Sequence, residues 1–188
     1  MATQLTVGLE SWIIQDGNYG DFERGARTAF ALEFFSESGL NRVSGKSMPS
    51  LVTCGGANYE ATGQIVHASD DWWAVDFGLL AFRDGKPPSY ASLGDWMTGN
   101  VYIGIDPFFY FERLALLPNA PALIYEWQIE KIEMQTAPFI QDGRLIRRDK
   151  EKIAWKEIPV TDAWNDDEGR GEYLLHCRLL DPHPRHRR

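Results

Sequence analysis

An all-β, single-domain β-barrel is the fold class this sequence predicts, and three observations predict it. Short runs of alternating apolar and polar residues recur along the chain. Clusters of Gly, Pro, Asn and Asp fall between them and supply turn chemistry. No stretch sustains the 3.6-residue apolar period of a long amphipathic helix. The expected architecture is a partly open, oligomer-binding (OB)-like barrel with extra C-terminal hairpins, and a β-sandwich is the alternative. Residues 1–180 are expected to form one β-rich domain and 181–188 a flexible C-terminal tail.

The elements follow in order. Leu5, Val7 and Leu9 alternate with Thr6, Gly8 and Glu10, the period of a half-buried strand. Turn residues at 15–21 lead into a second strand, in which Ala26, Thr28, Phe30, Leu32 and Phe34 share one face. Residues 36–50 read as a loop. Tyr59 to Ala68 makes a third strand, and Ser69-Asp70-Asp71 a hairpin connection into a fourth at 72–82. That fourth strand is apolar on both faces, as a central strand or barrel wall requires.

Val101, Ile103 and Ile105 begin a fifth strand. Asp106-Pro107 suits a helix start, because Asp caps well and Pro fits the first helical position. The aromatic content of 108–111 favours continued strand over 107–116 instead. Tyr125, Trp127 and Ile129 alternate with Glu126, Gln128 and Glu130 in a sixth strand. A hairpin is expected around Gln141-Asp142-Gly143, and another joining 153–164 to 172–180.

Composition narrows the function classes. With 188 residues, the chain can bury roughly 70% of its unfolded surface and needs no metal or disulfide to fold. Its net charge is −8, with 17 Asp and Glu against 8 Lys and Arg in residues 1–140. An acidic body repels phosphate backbones and anionic membranes, so nucleic acid and membrane are disfavoured as partners and a basic protein surface is favoured. The two cysteines do not make a secreted disulfide scaffold. No run of about 20 apolar residues occurs, nor does the start read as a signal peptide. A cytoplasmic setting is the expectation, with no cofactor.

Four constellations could carry chemistry. Cys54-Gly55-Gly56 offers a thiol beside exposed backbone N–H groups, with His67 and Asp70 as base and orienter; a plain glycine turn explains it as well. Cys54, His67, His176 and Cys177 are zinc-ligand types at spacings that do not fit, so no metal site is expected. Asp76 and Asp106 each interrupt an apolar run and must be hydrogen-bonded, paired or neutralised. Together with Trp72, Trp96 and Tyr102 they could grip a small polar ligand or a saccharide at the barrel mouth, hydrolytically if the carboxylates pair. Otherwise Asp106 caps a turn and Asp76 lies at a sheet edge. Trp72 is expected to be the exposed tryptophan and most of the other six to be core. Finally, Arg144, Arg147, Arg148, Lys150 and Lys152 read as a solvated hairpin face.

Common nucleotide, hydrolase and metalloprotease motifs do not occur. A non-catalytic binding module for a protein partner is therefore the expected function, with the polar-ligand site as the alternative. Single-strand nucleic-acid binding through an OB-like face is a weaker third reading.

Overall fold

The computed structural model describes residues 3–186. In chain order the elements are β1 (Gln4–Glu10), α1 (Ser11–Gln15), β2 (Arg27–Phe30), β3 (Leu32–Phe35), β4 (Asn41–Val43), β5 (Ser50–Gly55) and β6 (Asn58–Ala68). Next come β7 (Trp72–Asp76), β8 (Leu80–Asp84), β9 (Trp96–Ile105), α2 (Phe109–Glu112) and β10 (Tyr125–Gln135). The chain ends with β11 (Phe139–Asp142), β12 (Leu145–Arg148), β13 (Trp155–Ile158) and β14 (Glu172–Leu179). Strand makes up 49% of the fold and helix 10%, so the all-β barrel expectation holds.

Five strands close a ring. β6, β7 and β8 form an antiparallel meander, β8 runs parallel to β3, and β9 lies antiparallel to both β3 and β6. The β6–β9 ladder, Asn58 with Tyr102 through Gln64 with Trp96, shuts the barrel that the sequence predicts as partly open. The strands belong to one sheet curled on itself rather than to two facing sheets of a sandwich. β1, β14, β10 and β13 continue that sheet beyond the ring, and β1 meets β9 at one parallel bridge, Gly8 to Gly104. The expected second strand is interrupted at Ala31: β2 pairs with β10, while β3 turns into the ring.

Several elements differ from the sequence reading, each for a local reason. The continuous strand expected over 72–82 is a hairpin, because Gly78 adopts φ +95 and the Asp76 carboxylate accepts its N–H at 2.8 Å. Residues 107–116 are not strand. Asp106 accepts the N–H groups of Tyr110 and Phe111, both at 3.1 Å, and winds the chain into α2 and a 3-10 turn over Leu114–Leu116. The 36–50 loop contains β4, which pairs with the start of β9. β13 pairs with β10, and β14 lies between β1 and β10, so 153–164 and 172–180 are not a hairpin. The 141–143 hairpin does form, as the separate ribbon β11–β12. In the expected tail, Arg185 exchanges backbone hydrogen bonds with Ile124 at 2.8 and 3.1 Å.

Burial explains why β7 is apolar on both faces. Trp73 and Val75 point into the main core with Phe34, Val7 and Ile103. Trp72, Ala74 and Phe82 point outward, where Tyr110, Leu114, Leu123 and Ile124 cover them as a second, smaller core. Among the described residues no helix is long and apolar enough to cross a membrane.

Candidate ligand-binding groove

The expected site residues do not meet. Trp72 is fully buried rather than exposed, because the 106–124 segment packs over the outer face of β7. Three of the seven tryptophans are buried, Trp72, Trp73 and Trp127, while Trp12, Trp155 and Trp164 are exposed. Asp76 serves the Gly78 turn, and Asp106 serves as the cap of α2. Burial pushes the Asp106 carboxyl up to about 6, against the downward pull of the N–H groups it accepts. Trp96 lines a cavity of about 580 Å³ with Arg42, Lys46 and Asp95, and Tyr102 lines two others elsewhere.

The thiol constellation is not assembled either. His67 stacks on Trp72 with ring centroids 4.1 Å apart, and Asp70 pairs with Lys86 at 2.6 Å. Among the described residues no group of three His, Cys, Asp or Glu could hold a metal ion, and Cys54 and Cys177 are both free. Arg148 corrects the solvated-face reading of the basic run. Its side chain is only 9% exposed and pairs with Asp167 at 2.6 Å and Glu172 at 3.1 Å.

One catalytic-looking chain escapes the sequence because its members are cross-strand neighbours. Thr6 Oγ1 lies 3.1 Å from His176 Nδ1, and His176 Nε2 lies 2.6 Å from Glu133 Oε2. Acyl transfer by such a chain needs an N–H donor for the developing oxyanion. The Thr6 N–H instead donates to the Tyr59 hydroxyl at 2.8 Å, and Lys131 holds Glu133 at 2.7 Å. The chain is a polar ladder across β1, β14 and β10.

The concavity with the most chemistry lies where β1 leaves the sheet beside β3 and β9. Two cavities, of about 270 and 330 Å³, share Leu9, Glu10 and Tyr102 in their walls. Glu10 ends β1, and its carboxylate accepts the Trp12 indole N–H at 2.8 Å, which ties both side chains to the rim. Glu33 projects from β3 into the first cavity. Burial, then the nearby Asp106 and Asp84 carboxylates, raise Glu33 to about 7, and Arg83 offsets this in part. No hydrogen bond or ion pair among the described residues engages the Glu33 carboxylate. Glu172 and Trp155 line the second cavity. Tyr102 divides the two, its hydroxyl packed over Gly8, and burial with Glu10 and Glu172 holds its pKa well above the usual phenol value.

This wall is acidic and aromatic, and one aromatic already carries a cation. The Arg83 guanidinium sits 4.8 Å from the ring centroid of Phe35, in the first cavity's wall. Carboxylates beside ring faces are the two features that attract ammonium and guanidinium groups. Sequence pattern does not bring these residues together: Glu33 and Phe35 lie on β3, while Glu10, Trp12, Tyr102, Trp155 and Glu172 come from β1, α1, β9, β13 and β14. Comparison with protein-family models, with curated proteins and with solved structures finds no match to this chain.

Proposed function

We propose that this protein is a non-catalytic binding module that takes a basic segment of a protein partner into the groove around Tyr102. The observation that supports this reading is the juxtaposition of Glu10, Glu33 and Glu172 with Trp12, Phe35 and Tyr102 across two adjoining cavities. The net charge of −8 adds long-range attraction for a basic partner. An aromatic anchor with a charged rim is also where binding energy concentrates in protein interfaces. The free cysteines suit a cytoplasmic setting. The five-strand ring shares its strand number with the OB barrel, and an OB-like architecture is part of this reading.

The saccharide alternative loses its support, because Asp76 and Asp106 are spent on backbone N–H groups. Fluorescence anisotropy with a labelled Lys/Arg-rich peptide, and with its Glu-substituted counterpart, tests the proposal. Binding of the basic peptide alone, weakened by Tyr102→Ala and by Glu10→Lys, is the expected result. Equal affinity for both peptides, or affinity indifferent to salt, would end it.

A further inference from the structure

We infer that the free edge of β5 is a self-association surface, on which a second copy of this chain lays its own β5 antiparallel to the first. This rests on observations independent of the groove. β5 ends the sheet: it pairs with β6 on one side, and no strand pairs its other edge among the described residues. Such an edge presents a row of backbone N–H and C=O groups ready for another strand.

Exposed edges are ordinarily defended by charge, and the other edges here follow that rule. β13 carries Lys156 and Glu157, the latter paired with Arg24. β12 carries Arg147 and Arg148, and β4 carries Arg42, paired with Asp95. β5 has no such defence. Residues 47–59 contain no Lys, Arg, Asp or Glu, the longest uncharged stretch in the chain. Within it Met48 is 81% exposed and Val52 is 57% exposed.

Charge also selects the occupant. Two copies at −8 each repel one another, so self-association is least opposed along a strip that carries no charge. A two-fold axis matches identical strips on both partners, as isologous dimers require. The bulge between Thr53 and Gly55 limits the flat, pairable part to Ser50–Thr53. That fixes the centre of the contact near Leu51 and Val52.

Sedimentation velocity on the full chain over a roughly hundredfold concentration range tests this. The expected result is a species of twice the 21.4 kDa chain mass. Val52→Lys and Thr53→Lys place ammonium groups on an already exposed strand, and like charges across a strand pair repel. Each should weaken association at least about tenfold, with near-UV circular dichroism unchanged. Leu145→Lys, on the exposed β12, should leave the dimer intact. A monomer throughout the range overturns the proposal, as does a dimer that survives whichever of the two β5 variants retains the native spectrum.

Discussion

The Tyr102 hydroxyl occupies the space a side chain on Gly8 would need. A methyl group there would lie 1.5 Å from the Tyr102 oxygen and 2.2 Å from the ring carbon that bears it. Gly8 is also the residue through which β1 bridges β9, so the glycine lets two strands and a ring share one place. Gly8→Ala should destabilise the protein by about 1–3 kcal/mol through overpacking. Tyr102→Ala should recover most of that cost in the double variant, whereas Tyr102→Phe should not, because the ring itself clashes. Denaturant midpoints of the four proteins decide the matter, and additive effects would contradict the contact.

Glu33 gives the fold a pH dependence of definite sign. Its folded pKa, near 7, lies above the ordinary value, so the folded protein holds this proton more tightly than the unfolded chain does. The stabilisation is fully present below about pH 4.5 and is lost as pH rises through 7. Glu33→Gln should therefore raise the melting temperature at pH 8 and leave it nearly unchanged at pH 5. Equal shifts at both pH values would show that Glu33 is not ionising in a confined site.

The same titration should tune the groove. If a cationic side chain docks beside Glu33, it favours the ionised carboxylate, so affinity for a basic peptide should climb between pH 6 and 8. Glu33→Gln should flatten that climb. Glu10→Lys should slow association more in low salt than in high salt, and Glu60→Lys, which lines neither cavity, should do so less. Stopped-flow rates at two ionic strengths measure the difference.

Asp106 is predicted to matter for folding rather than for turnover. Asp106→Ala removes the acceptor for the Tyr110 and Phe111 N–H groups and should cost about 1–2 kcal/mol. Asp106→Asn keeps one acceptor oxygen and should cost less. Thermal melts rank the two, and a harmless alanine would refute the capping role.

Arg148 pins the β11–β12 ribbon to the body. Besides its two ion pairs, it donates to the Ala137 and Arg170 carbonyls at 2.9 and 3.0 Å and lies 4.4 Å from the Phe139 ring centroid. Arg148→Ala should leave Asp167 and Glu172 without this partner and cost about 2 kcal/mol or more. Faster amide exchange confined to 139–148, with the ring strands protected as before, is the expected signature.

Alternation by itself determined that this is a β protein and located β1, β6 and β10, since a period of two reports one covered and one open face. It also predicted the 141–143 turn, whose glycine supplies the backbone freedom locally. What lies over a face is a tertiary matter. Trp72 and Trp73 alternate as expected, yet both are buried, because a segment some 40 residues further on covers the outer side. The turn at Gly78 was hidden because Phe77 and Leu79 on either side of it are core residues, so the apolar run continues through the reversal. The ring closure depends on a ladder between β6 and β9, and local pattern carries no information about which distant strands meet. The groove is the extreme case. Glu10, Glu33, Tyr102 and Glu172 are scattered over four strands of the chain, and only the curling of the sheet sets their side chains around one cavity wall.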